Sequence, residues 1–307
     1  MFRGVLQGQS FWVKLVALVG MAIFSMSIFT ALSALLLKPL FGINIVADAN
    51  ALMDLSNAHA IGAYKFLQIV QAITLFIIPA FIFPVLCGEN TLSYLGMDKK
   101  PTLLMLVLVL LIAYFSSPLF EFSNQLNQKM SFPSFLSGLE DWMKAKEQQL
   151  GDLTKAFLKM DNFNQLALNL LMMAVLPAIG EELLFRGVTQ RLFIEWFRNA
   201  HIGIWVAAIV FSALHFQFYG FLPRMLLGVL FGYLFYWSGN IWLAILAHFI
   251  NNATVVVFSY LFQHKVINFN IEATGSLSIT SYLVCAALSA LLIIMFYRIV
   301  YKRTQAN

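Results

Sequence analysis

Eight apolar runs, most of them near the length of about 20 residues that a helix needs to cross a bilayer, recur along the chain. They cover residues 11–37, 66–86, 103–120, 166–188, 202–218, 225–237, 241–262 and 281–301. In hydrocarbon every backbone N–H and C=O must find its partner inside the protein, so runs of this length cross as helices. The expected fold is therefore all-α: a polytopic helical membrane bundle of about eight transmembrane helices, forming one integral domain over residues 1–307. The run 225–237 is short for a full crossing.

Composition excludes the soluble classes. Only 11% of residues are charged and 61% are hydrophobic, with a mean hydropathy of +0.81, where a soluble domain carries about 25% charged residues. The net charge of +5 is not a nucleic-acid footprint, because Lys and Arg fall at segment ends rather than on one face. The expected partners are the lipid bilayer and a membrane-associated peptide or protein. Threading the runs alternately puts Arg3, Lys99, Lys100, Arg191, Arg198, Arg298, Lys302 and Arg303 on one side, while the opposite short loops hold Lys38, Lys65, Arg224 and Lys265. Positive charge marks the cytoplasmic face, so both termini are expected there, in a bacterial inner membrane.

The apolar stretch behind Arg3 is too long for a secretory h-region of about 7–15 residues and reads as an uncleaved first span. Cys87 and Cys285 stand apart, with no CxxC, and supply neither a disulfide framework nor a zinc knuckle. The one long polar interval, 121–163, places Leu136, Leu139, Met143, Leu150, Leu153 and Phe157 at helical spacing among charges, which predicts an amphipathic connector on the non-cytoplasmic surface.

Three polar insertions interrupt the apolar runs. The first is Glu181, Glu182 and Arg186, where ionisable groups cost roughly 2.5–3.5 kcal/mol each at bilayer depth and so face the bundle interior. Positions i and i+4 share a helix face, which pairs Glu182 with Arg186 and turns Glu181 about 100° away, free for chemistry. The second is Phe211-x-x-x-His215 and the third is His248-x-x-x-Asn252. Each alone is matched by a plain structural role, such as helix locking or interhelical hydrogen bonding.

Together they supply what hydrolysis requires: a buried carboxylate as general base, an imidazole to share the water, and a His–Asn pair to face a developing oxyanion. Alternatively, Glu181, His215 and His248 form a His2Glu zinc site with an open fourth position, although the HExxH helix of zinc proteases is absent. A proton-coupled transporter and a non-catalytic scaffold or immunity-type protein are the competing classes, since intramembrane Glu, His and Arg also build proton relays.

The ordered triple Glu181-Glu182-x-x-x-Arg186, Phe211-x-x-x-His215 and His248-x-x-x-Asn252 resembles the CAAX protease and bacteriocin-processing family of intramembrane proteases. The resemblance covers about residues 166–254, within an expected catalytic core of 164–262. It implies an eight-helix endopeptidase with its site in a cavity reached from the cytoplasm, acting on membrane-associated, CAAX-like proteins. Carried over by position, Glu181 and His215 activate the water, His248 and Asn252 stabilise the oxyanion, and Glu182, Arg186 and Phe211 support the site. Family members are described both as metalloproteases and as glutamate-dependent enzymes without metal.

Overall fold

The apolar runs fold as helices, and polar residues at the start of each run explain where several of them begin. In the computed structural model, which describes residues 2–45, 47–48, 50–268 and 277–305, the helices are α1 (Phe11–Phe41), α2 (Ala58–Leu86), α3 (Thr91–Leu95), α4 (Leu103–Gln128), α5 (Ser137–Leu158), α6 (Phe163–Phe197), α7 (Ala200–Ala213), α8 (Phe221–Ser238), α9 (Ile241–Gln263) and α10 (Ile279–Gln305). The side chains of Lys302 and Arg303 lie outside the described residues. Asn57, Asn90, Thr102, Asn162, Asn199 and Asn240 each accept a hydrogen bond from a backbone N–H of the helix they open. Cys87 and Cys285 are unpaired.

Among the described residues, seven helices are long and apolar enough to cross a membrane, and the chain is an integral membrane protein. The expected bundle of about eight membrane helices is all-helical as read, with the run 202–218 forming the shorter α7 of 14 residues, about 21 Å long at 1.5 Å per residue against a core about 30 Å thick. Its apolar run overshoots the helix because Leu214, Phe216 and Phe218 continue the hydrophobic pattern through a turn, where Phe216 takes a positive φ of 54°. Ser212 Oγ closes that turn by donating to the Phe221 carbonyl at 2.7 Å. The run 225–237, short on its own, belongs to an apolar helix of 21 residues from Phe218 to Ser238. The polar interval is also redistributed: residues 121–128 continue α4, and the amphipathic connector helix begins at Ser137.

α2 and α6 are not uniformly α-helical. Wide π-helical turns occupy Ile73–Ile77, Leu170–Val175 and Leu183–Thr189. The first two end two residues before Pro79 and Pro177. Proline removes an i→i−4 hydrogen bond, and a wide turn absorbs the loss without a sharp kink. Carbonyls in these wide turns are met from neighbouring helices: Ser25 Oγ donates to Thr74 O at 2.6 Å, and Asn252 Nδ2 donates to Met173 O at 3.1 Å.

Close approach fixes α8 against α6. Arg186 Nη2 donates to Gly228 O and Gln190 Nε2 to Gly232 O, both at 3.2 Å, so two side chains one turn apart grip two carbonyls one turn apart. A Cβ on Gly232 would lie 2.6 Å from Gln190 Oε1 and 2.8 Å from Ile204 Cγ2, and one on Gly228 3.1 Å from Ala208 Cβ. Only glycine allows this spacing.

At one end of the bundle the N-terminal segment packs on the end of α2, with Leu6 N donating to Leu86 O at 2.7 Å, and on the end of α6, where Phe11 stacks on Trp196 at 4.3 Å. At the other end the connector is latched by Gln263, whose Nε2 donates to Leu158 O at 2.7 Å while its Oε1 accepts from Met160 N at 3.1 Å.

Candidate active site

The polar insertions of α6, α9 and the turn after α7 meet inside the bundle. Glu182 and Arg186 are fully buried and paired, with Arg186 Nε 3.1 Å from Glu182 Oε2. Glu182 Oε2 and Arg186 Nη1 have no aligned hydrogen-bond partner, so this contact is an ion pair rather than a directed hydrogen bond. The guanidinium also lies over the Phe211 ring, 4.6 Å from its centroid. Phe211 in turn packs edge-on against Phe185 at 5.1 Å, which places it as a wall under the arginine.

The i, i+4 spacing foresaw the Glu182–Arg186 pair but not the second partner of Glu182. Glu182 Oε1 sits 2.9 Å from His248 Nδ1, and the His248 ring stacks on Phe231 at 5.3 Å. A carboxylate oxygen can only accept, so Nδ1 carries the proton and Nε2 is aimed elsewhere. His215 is oriented in the same manner, its Nδ1 donating to Phe211 O at 2.8 Å. Both free Nε2 atoms converge on one oxygen: Glu181 Oε2 is 3.9 Å from His215 Nε2 and 3.9 Å from His248 Nε2. These separations exceed a direct hydrogen bond and are the kind that a water molecule bridges. The Glu181 side chain is 13% exposed and His215 30%, so the group is sheltered but not sealed.

Asn252, expected to help stabilise an oxyanion, also makes contacts that fix its side chain. Its Nδ2 donates to Met173 O and its Oδ1 accepts from Asn251 Nδ2 at 3.1 Å. One amide hydrogen remains uncommitted. Arg224, counted from the sequence among the short-loop charges, binds back across the turn after α7, with Nη2 donating to Gln217 Oε1 at 2.8 Å, and interacts electrostatically with Glu147 and Glu181. Nothing local in the sequence announces that role, because it depends on the short α7.

The zinc alternative fits this geometry poorly. Tetrahedral ligands held about 2.0–2.1 Å from zinc lie roughly 3.4 Å apart, closer than the 3.9 Å spacing of Glu181 Oε2 from either imidazole. Among the described residues no group of three or more His, Cys, Asp or Glu has a metal-holding arrangement.

Residues 163–254 match the family described as type II CAAX prenyl endopeptidase Rce1-like. The likeness to Rce1-like proteins is confined to that stretch. The matched stretch starts at the beginning of α6 and ends within α9, so it contains all four candidate catalytic residues and their supports. The uncharacterized protein YpbD of Bacillus subtilis (strain 168) is 34% identical over 100 residues, which is 31% of this chain and 48% of that protein. The chain thus spans about half the length of the curated relative that it matches. No solved structure matches it.

Proposed function

We propose that this chain is an intramembrane endopeptidase that hydrolyses peptide bonds of membrane-associated proteins, with CAAX-like prenylated proteins as the substrate class suggested by the family description. The observation that carries the reading is the convergence of two oriented Nε2 atoms on one oxygen of a sheltered carboxylate. A water molecule held there loses a proton to Glu181, and its oxygen bonds to the scissile carbonyl carbon as the carbonyl electron pair moves onto oxygen. Collapse of the oxyanion breaks the C–N bond, and the proton passes from Glu181 to the leaving amine. His215 orients the water through Nε2. His248 faces the oxyanion through Nε2 when that nitrogen carries a proton, with Glu182 balancing the charge. Asn252 adds its uncommitted amide hydrogen and holds α9 against the wide turn of α6.

Glu182, Arg186 and Phe211 are positioning residues in this scheme. The bacterial inner membrane with both termini cytoplasmic is the setting we assign, from the positive charges at the shared end of the bundle. The deciding experiment is cleavage of membrane-anchored peptides, prenylated and unprenylated, by the purified protein in detergent. Parent protein is expected to cleave, and Glu181→Gln and His215→Ala to lose about 10²–10⁴-fold in rate, the usual contribution of a positioned acid–base group. Equal cleavage by parent and both variants would overturn the assignment.

A further inference from the structure

At the end of the bundle that carries the N-terminal segment, a cavity of about 420 Å³ lies beside α6 and is lined by Tyr94, Gln190, Arg191, Glu195, Tyr236 and Gly239 among others. Arg191 is ten positions beyond Glu181, about 15 Å along the helix, so this cavity is separate from the candidate active site. We propose that it binds a phosphate group, as carried by the headgroup of an anionic phospholipid.

The case begins with what Arg191 lacks. Its guanidinium lies between the Tyr94 ring, 5.1 Å away, and the Phe235 ring, 5.2 Å away. Both contacts hold the guanidinium by its attraction to the rings and leave its N–H groups for a ligand. Nε is buried without a hydrogen-bond partner, and Arg191 takes part in none of the ion pairs among the described residues. The acids nearby do not fill the role: Glu195 is held by Lys14 at 3.1 Å, and Glu89, though it interacts electrostatically with Arg191, makes no ion pair.

A charged edge held rigid by two rings is suited to the bidentate geometry of a phosphate rather than to a point charge. Lys99 adds a second cation at the rim, with Nζ in the space that a Gly239 side chain would occupy. The depth also suits a headgroup. Phe11, Trp12 and Trp196 form a ring cluster at the same end, and Trp237 packs beside Tyr297, the placement of an aromatic belt at the lipid–water boundary.

The test uses the full-length protein in detergent and measures binding of short-chain phosphatidylglycerol and of diacylglycerol with the same chains by native mass spectrometry. The parent is expected to bind phosphatidylglycerol and not diacylglycerol. Arg191→Gln should weaken binding about tenfold or more and Arg191→Lys by less, because lysine keeps the charge but not the planar edge. Lys99→Gln, an exposed loop change that leaves the rings in place, should weaken it about threefold, an intermediate loss for a rim charge, and carries the test if Arg191→Gln does not fold. Competition by inorganic phosphate at millimolar concentration would support the phosphate site and assign it to the free ion, whereas no competition would assign it to the headgroup. Binding of phosphatidylglycerol unchanged in both charge-removing variants, or equal binding of diacylglycerol, would overturn the proposal.

Discussion

Glu181 and Glu182 are neighbours in sequence and differ in what holds them. Glu182 is sealed between Arg186 and His248, whereas the nearest imidazole atoms to Glu181 stand 3.9 Å off. Replacing Glu182 by Gln leaves the buried Arg186 cation without its counter-charge, and breaking a buried pair in this way costs about 3–5 kcal/mol. Glu182→Gln is thus expected to lower the thermal unfolding temperature of the detergent-solubilised protein markedly. Glu181→Gln removes a carboxylate that has no direct partner to lose, so its unfolding temperature should stay near that of the parent while cleavage disappears. Equal destabilisation by both changes would show that Glu181 is structural. The i, i+4 rule made one face of this pair legible from sequence, because Glu182 and Arg186 are on one helix. The contact of Glu182 with His248 was not, since it joins positions 66 residues apart.

Helices in this bundle are legible where hydrophobic length decides and illegible where packing decides. The apolar runs locate the helices, but the end of α7 before His215 is set by a hydrogen bond from Ser212 to Phe221 and by the positive φ of Phe216, neither of which interrupts the apolar pattern. The wide turns of α6 escape periodicity altogether, although Pro177 marks where one of them ends. Gly228 and Gly232, by contrast, were readable as a close-packing pair from their spacing, and the structure gives that pair its partners in Arg186 and Gln190. Gly232→Ala must push α8 off α6 and α7, because the new methyl meets Gln190 and Ile204 inside contact distance. A loss of about 1–3 kcal/mol is expected in equilibrium unfolding, the usual cost of overpacking. Gly151→Ala in α5 is the control with opposite sign: nothing lies within 4 Å of the added methyl, and removing a glycine from a helix interior should stabilise by roughly 0.5–1 kcal/mol. If both changes act alike, glycine content rather than close approach governs the bundle.

Counting seven long helices across a membrane would place the two ends of the chain on opposite sides, yet the contacts put them at one end. The N-terminal segment lies on the ends of α2 and α6, through Leu6 to Leu86 and Lys14 to Glu195. The turn between α8 and α9 is joined to the loop after α3, with Ile241 N donating to Gly96 O and Asn240 Nδ2 to Lys99 O. Trp237, near the end of α8, packs at 5.2 Å on Tyr297, near the end of α10. The short α7 resolves the parity: it rises from this end to a turn that meets the far end of α4, where Asn127 Nδ2 donates to Phe218 O at 2.9 Å, and α8 starts there and returns, so the pair acts as a hairpin. Arg3, Lys99, Lys100, Arg191 and Arg198 all belong to segments of this end, and the orientation we propose, following the positive-inside rule, turns it to the cytoplasm. With the native cysteines replaced by serine, single cysteines at Gln7 and Arg198 should resist a membrane-impermeant maleimide on intact cells and react after permeabilisation. A cysteine at Ala145, exposed on the connector helix α5, should react without it. Labelling of Gln7→Cys and Arg198→Cys from different sides would contradict the shared end, while labelling of both on intact cells with Ala145→Cys protected would invert the orientation and leave the packing intact.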